Sequence, residues 1–320
     1  MRARSLVDLP PPPRGKTGWP WTAETPRLPP ARPDGRRWPR IGIATPSYNQ
    51  GEFIEETIRS VLLQGYPDLV YVVIDGGSTD NTTDILRKYD RHIDFWISER
   101  DKGQADAINK GLAKVDGEIL AWLNSDDVYE MGVLGEVAEL FLQRPDTEVI
   151  SGRCRLWYGD ERDVLFEPSS LRSFEDFLRV GSNWLKGKII VQPETFFRRS
   201  AFVKAKGLCE QLYYCFDVAL WMDMARAGCK FDSTDRHWAN LRKHDGQKTH
   251  DLTSVHLEVA RVAHDRLLAN WSSIENPVAI AKDIFSAVEG LLKNEQESLK
   301  RYSESTSYRL GRVLTKMRFW

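Results

Sequence analysis

Between residues 40 and 123 four short apolar runs alternate with helical stretches, and each run stops in a loop of small and polar residues. The runs cover 40–44, 70–74, 95–98 and 119–123. Apolar runs of this length, bounded by polar turns, predict buried strands. After the first comes an amphipathic helix with Ile54, Ile58, Val61 and Leu62 on one face, stopped by Gly65 and Pro67. A helix over 84–89 leads to the third run, and another opening in DKGQADAINKG, 101–111, leads to the fourth. Such β-α alternation predicts a mostly parallel α/β sheet flanked by helices. Further strands are expected at 149–154 and 189–191, and further helices over 171–180 and 218–227.

Three segments follow from this pattern. Residues 1–39 precede the first strand, 40–250 form the α/β domain, and 251–320 form a helical C-terminal extension. Residues 1–40 hold ten of the sixteen prolines. Proline fixes φ and removes a donor, so this segment is expected to be extended or disordered, with one or more of Trp19, Trp21 and Trp38 packing back. It carries nine Arg or Lys against Asp8, Glu24 and Asp34, a balance of +6 that leaves −7 for the other 280 residues of a chain at −1. A solvated tail accounts for that charge, and no nucleic-acid partner is expected. Four cysteines without CxxC spacing predict reduced thiols and a cytoplasmic protein. The N-terminus lacks the apolar segment of a secretory signal, and no run has the length of a transmembrane helix.

The polar loops after the strands converge on one sheet edge, where open α/β folds bind ligands. TPSYNQG, 45–51, offers hydroxyls, amides and the ring of Tyr48; DGGSTDNT, 75–82, offers Asp75 and two glycines for close backbone approach. The fourth strand ends in Asn124, Ser125, Asp126 and Asp127. Adjacent carboxylates repel, so a half-buried pair calls for a cation; taken alone, the stretch serves equally well as a polar turn capping the next helix. No GxGxxG follows the first strand and no GxxxxGK[ST] occurs, which argues against a dinucleotide dehydrogenase and a P-loop NTPase.

TPSYNQGEFIEETIRSVLLQGYPDLVYVVIDGGSTDNT, then DKGQADAINKG, then GEILAWLNSDDVY, resemble the family 2 glycosyltransferases of the GT-A fold, collinearly from about Ile41 to Trp221. The resemblance implies transfer of a sugar, with inversion, from a nucleotide-diphospho-sugar to an acceptor hydroxyl on a glycan or lipid-linked glycan, assisted by Mg²⁺ or Mn²⁺. It puts Thr45, Pro46 and Tyr48 on the nucleotide-binding loop and Asp75 on the base-contacting carboxylate. Asp106 and Asn109 fall on the sugar and diphosphate side. Asn124-Ser125-Asp126 falls on the Asp-x-Asp motif, with Asp126 the principal metal ligand and Asp127 its neighbour. Asn124 replaces the commoner aspartate and suits a ribose contact. Asp217, in CFDVALWMDMARAG, matches the catalytic base, though Phe216 and Ala219 depart from the usual acidic neighbours; a helix cap is the plain alternative for it, and Asp223 is a weaker candidate. QPETFFRR places Glu194 on the acceptor side. His244 in RKHDGQKT matches a histidine that reaches the metal or diphosphate, and Lys248 is placed to neutralise phosphate; a structural histidine is the alternative.

Two other functions stay open at this level. A sugar-nucleotide nucleotidyltransferase would carry Arg or Lys in the first loop, and TPSYNQG has neither. A non-catalytic nucleotide-sugar binder would tolerate the departures at Asn124, Phe216 and Ala219. Finally, Leu310, Val313, Leu314 and Met317 recur at helical spacing among basic residues, followed by Phe319 and Trp320. That pattern fits peripheral contact with the inner face of a membrane, or equally a packed helix.

Overall fold

A computed structural model describes residues 3–317, with side chains described at 3–249 and 251–297. The strands are β1 (Ile41–Ser47), β2 (Leu69–Asp75), β3 (Phe95–Ser98), β4 (Ile119–Trp122), β5 (Val128–Tyr129), β6 (Val149–Trp157), β7 (Val164–Leu165), β8 (Thr195–Arg198) and β9 (Phe231–Arg242). The helices are α1 (Ile54–Leu62), α2 (Thr82–Lys88), α3 (Gln104–Lys114), α4 (Val133–Gln143), α5 (Phe174–Leu178), α6 (Arg199–Ala205), α7 (Phe216–Arg226), α8 (Leu252–Ala269) and α9 (Pro277–Met317).

Among the described residues the strands form one sheet in the order β3-β2-β1-β4-β8-β6-β9-β5, with β7 paired to β6. The expected parallel half is present: β1 lies between β2 and β4, and β3 flanks β2, all parallel. Beyond β4 the sheet is mixed, because β8 runs antiparallel to both β4 and β6. Pairing of Ser47 with Asp75 brings the ends of β1 and β2 together. Alternation explains why β4 is apolar throughout. Leu120 and Trp122 enter the core under α3, α7 and α8, while Ile119 and Ala121 enter the opposite core under α1 and α4.

Local expectations shift in three places. β1 continues through Thr45, Pro46 and Ser47 instead of breaking at Ala44, because Pro46 is accommodated in a parallel ladder that ends one residue later. No strand forms at 189–191; a 3-10 turn at Gln192–Glu194 leads into β8 instead. The helix expected over 171–180 contracts to α5.

The described part of residues 1–39 is mostly irregular chain packed against the domain through its tryptophans. Trp21 and Trp38 are each 5% exposed, and Trp19 donates its indole N–H to Tyr129 O at 2.7 Å. The physical reason is Arg59, fully buried on α1. Its guanidinium donates to Pro20 O at 3.0 Å and to Pro10 O, Trp21 O and Tyr89 Oη at 2.9 Å. A proline-rich chain cannot satisfy its carbonyls in a ladder, and the fixed fork of an arginine satisfies three at once. The helical extension is present as α8 and α9, with Val259, Ala263, Ile280 and Ile284 joining the core. No helix among the described residues is long and apolar enough to cross a membrane. The side chains of the basic stretch at 310–317 and residues 318–320 lie outside the described residues.

Arg59→Met should cost on the order of 3 kcal/mol in chemical denaturation, since several charge-assisted bonds are lost and their buried carbonyls left unpaired. It should also expose residues 1–39 to limited proteolysis at protease levels that leave the wild type intact.

Candidate active site

The carboxyl edge of the parallel half opens into a cleft of about 950 Å³, walled by the loops after β1, β2 and β4, the 184–193 segment, and the starts of α7 and α8. At its first end lie Pro46, Ser47, Tyr48 and Gln50, facing Gly76, Gly77, Arg100 and Asp101. The two loops are stitched together. Asn49 accepts from Thr79 N at 2.8 Å, and Asp80 accepts from Gly51 N at 2.9 Å. Thr79 and Asp80 therefore build the loop rather than face a ligand. Asp75 is fully buried and accepts from Gly77 N, Ser78 N and the hydroxyls of Ser78 and Ser98. It holds the turn in which Gly77 takes a φ of +85°, and does not itself line the cleft. Thr45 is likewise buried under the strand, accepting from Tyr71 Oη at 3.0 Å. Ser47 Oγ and Gln50 Oε1 have no hydrogen-bond partner and are buried beside the cleft.

At the centre, the four residues after β4 are held from every side. Thr57 Oγ1 donates to Ser125 O and Asp127 O, and Ser125 lines the cleft. Asn124 donates to Asp127 Oδ2 at 3.2 Å and to Gln192 Oε1 at 3.0 Å, and accepts from Gln104 at 2.9 Å. Its amide protons are thus committed to the network. Asp127 is 1% exposed, and its second oxygen accepts from Arg242 N at 3.1 Å. Burial, and then the Asp126 carboxylate beside it, push Asp127 well above the usual carboxylate range. Asp126 instead faces the cleft, with Oδ2 3.0 Å from His244 Nε2. The two are 118 positions apart in the chain. They meet because β5 pairs with β9, Val128 opposite Asn240, so that the chain after β9 runs beside the 124–127 loop.

Arg242 is a residue the sequence reading missed. It donates to Asp126 O at 3.0 Å and to Glu56 Oε2 at 2.9 Å, and its guanidinium lies 4.2 Å from the centre of the Trp157 ring. It stands in the RKHDGQKT motif two residues before His244, but nothing local distinguishes it from a solvated arginine. Gln104 and Gln192 were missed for the same reason.

Asp126 lines the cleft with the His244 imidazole against its carboxylate, and among the described residues no three His, Cys, Asp or Glu side chains close around an ion. That donor set fits a divalent cation whose remaining ligands are substrate and water oxygens. Asp127 also lines the cleft but is the weaker candidate ligand, since it is 1% exposed and each of its oxygens already accepts one hydrogen bond inside the protein.

At the far end Asp217 lines the cleft from the first turn of α7. The N-cap position belongs to Cys215, so the plain cap explanation does not describe Asp217. Burial raises its carboxyl to about 6, against the lowering effect of the Val218 N–H bond and the Lys248 charge. Lys248 lies 4.0 Å over the Tyr213 ring, and its ammonium is held below the usual lysine range by burial. Besides Thr45 and Asp75, four further sequence candidates stand away from the cleft. Asp106 accepts from Lys102 N and Lys110 Nζ at 3.0 Å. Asn109 is bound to the backbone of Leu208 in both directions. Glu194 is 1% exposed with Oε1 on Val191 N at 3.1 Å. Asp223 pairs with Arg266 of α8 at 2.8 Å.

The sequence profile of "Glycosyl transferase family 2" matches residues 42–204. A Bacillus subtilis protein named as a teichuronic acid biosynthesis glycosyltransferase, TuaG, is 38% identical over 109 residues, 33% of this chain and 43% of that one. A poly-β-1,6-N-acetyl-D-glucosamine synthase of Staphylococcus epidermidis is 30% identical over 118 residues, 36% of this chain and 29% of that one. The chain thus spans less than half the length of these curated relatives. Among solved structures, residues 1–349 of S. aureus TarS in complex with UDP-GlcNAc superpose with a TM-score of 0.56 at 18% identity, over 72% of this chain and 66% of that one. A mannosyltransferase of Pyrobaculum calidifontis in complex with GDP-Man and Mn²⁺ gives 0.51 at 17% identity, over 78% and 81%. The likeness extends the GT-A fold across most of the chain, and the profile match, over half of the chain, shows that the protein belongs to glycosyl transferase family 2.

Proposed function

We propose that the protein is an inverting, metal-dependent glycosyltransferase of polysaccharide or glycoconjugate biosynthesis, moving a sugar from a nucleoside-diphospho-sugar to an acceptor hydroxyl. The observation that carries this reading is the convergence on one cleft of Tyr48, Gly76 and Gly77, of Asp126 with His244 against it, and of Asp217. Ser47 Oγ and Gln50 Oε1, unpartnered beside the cleft, supply polar groups for a nucleoside. Uridine is the base to test first, because the TarS structure holds UDP-GlcNAc.

Asp126 and His244 would hold the cation, which when bound offsets the charge developing on the leaving diphosphate. Asp217 takes the proton from the acceptor hydroxyl as its oxygen attacks the anomeric carbon from the face opposite the diphosphate, which is what inversion requires. A carboxyl titrating near 6 is ionised at neutral pH yet basic enough to accept a proton in the transition state. Lys248 and Arg100, both lining the cleft, add positive charge there.

Nucleotide release from a panel of UDP-, GDP- and dTDP-sugars, with Mn²⁺ and with chelator, should show one preferred donor and loss of turnover on chelation. Turnover unaffected by chelation would refute the metal role. Asp126→Ala should abolish turnover and weaken Mn²⁺-dependent UDP binding by calorimetry. Asp217→Asn should lower kcat by at least about 100-fold, the range of a lost general base, and leave UDP affinity unchanged.

The raised carboxyl of Asp217 also sets two pH dependences. Turnover should rise with pH through about 6 as the base ionises. Because the folded chain binds this proton more tightly than the unfolded one, the group favours folding at low pH and loses that contribution as pH rises through the interval from its ordinary value to about 6. Asp217→Asn should therefore raise Tm by a few degrees at pH 8 and leave it nearly unchanged at pH 4.

A further inference from the structure

The profile of the family ends at residue 204, so α7, with Asp217, and the helical extension lie beyond it. The segment that enters α7 is fixed by α8 rather than by its own neighbours. Glu258 Oε2 accepts from Tyr214 N at 2.6 Å and from Cys215 N at 2.9 Å, and Glu258 Oε1 accepts from Tyr213 N at 3.2 Å. These N–H groups precede and open the first turn of α7, where a helix has no partners of its own to give them. A carboxylate there also suits the positive end of the helix. The N-cap residue Cys215 makes no side-chain cap, so the cap comes from another helix 43 positions away. Asp217 follows Cys215 by two residues, and the same wall of the cleft includes Tyr213, Tyr214, Val255 and Val259.

We propose that Glu258 of α8 is a positioning residue for Asp217: by holding the 213–215 backbone it fixes the base against the acceptor side of the cleft, and the helical extension is thereby a working part of the active site. The inference rests on the reading of Asp217 as base. It gives Glu258 no contact with donor or acceptor.

Charge accompanies the geometry. The groups that face Asp217 are Lys248 from the 3-10 turn Lys248–His250, Glu258 from α8, and Cys215 from the start of α7 itself. Arg261 stands 3.6 Å from Glu258 on the same helix, and His256 of α8 lines the cleft. Burial opposes ionisation of Glu258, but the Cys215, Tyr214 and Tyr213 N–H groups outweigh it and hold the carboxyl below its usual range. Glu258 is therefore charged throughout the range in which Asp217 titrates, and it works against the ionisation of Asp217.

The test compares wild type, Glu258→Ala, Glu258→Gln and Asp217→Asn in the full chain, with Mn²⁺ and UDP-GlcNAc as the probe. Hydrogen exchange at 213–216 should accelerate at least about tenfold in Glu258→Ala, with kcat for UDP release down about 10- to 100-fold and KM for UDP-GlcNAc within twofold. Glu258→Gln keeps the shape and should lose less activity. The ¹³C resonance of the Asp217 carboxyl, assigned by its absence in Asp217→Asn, should titrate at lower pH in Glu258→Gln than in wild type, whether or not UDP-GlcNAc is turned over. Faster exchange with unchanged kcat and unchanged Asp217 titration would reduce Glu258 to a structural cap and overturn the proposal. Loss of KM with kcat intact would overturn it too. Asp217→Asn retaining turnover would overturn the base reading itself, a failure distinct from unaltered Glu258→Ala kinetics in an enzyme that Asp217→Asn inactivates.

Discussion

The pairing of β5 with β9 is the constraint on which the site depends. Two adjacent carboxylates at the end of a buried strand cannot both remain charged and dry without partners. β9 returns from the far side of the sheet and delivers the backbone and guanidinium of Arg242, then His244, to the 124–127 loop. The consequence is a division of labour between neighbours. Asp127 turns inward and becomes part of the scaffold; Asp126 stays at the cleft with an imidazole beside it.

The same logic recurs at the two ends of the cleft. Beside β1 and β2 Asp75 and Asp80 accept backbone N–H groups and shape two loops, so that Pro46, Tyr48 and the glycines line the cleft. At the start of α7 Glu258 accepts three N–H groups and holds the backbone that leads to Asp217. Around the cleft, Asp75, Asp80 and Glu258 accept from the backbone, while Asp126 and Asp217 line the cleft. Four lone-pair sites per carboxylate make that bookkeeping decisive, since a filled carboxylate has little left to offer a ligand.

The N-terminal segment shows how composition alone misleads. Ten prolines and a balance of +6 read as an unstructured tail. Proline-rich chain is nevertheless rich in unpaired carbonyls, and a single buried arginine on α1 takes three of them and holds Trp21 against the domain. No local property of Arg59 announces this, because it sits in an amphipathic helix where an arginine ordinarily faces water.

By itself the sequence determined the β-α alternation and the convergence of the first loops, with Asp126 after the fourth strand, on one edge; Asp217 was marked only by resemblance to a family motif. Those features rest on short-range patterns: strand runs, turn residues, and carboxylates next to the ends of strands and helices. The tertiary structure decided the rest. It decided that Asp75, Asp106, Asn109 and Asp127 spend their hydrogen bonds on the protein, and that Arg242 and Glu258, unremarkable in sequence, organise the loops that carry the chemistry. The reason is separation along the chain. For Asn109, Asp126, Asp127 and Glu258 the decisive partners lie 43 to 118 positions away, and no local pattern encodes those pairings.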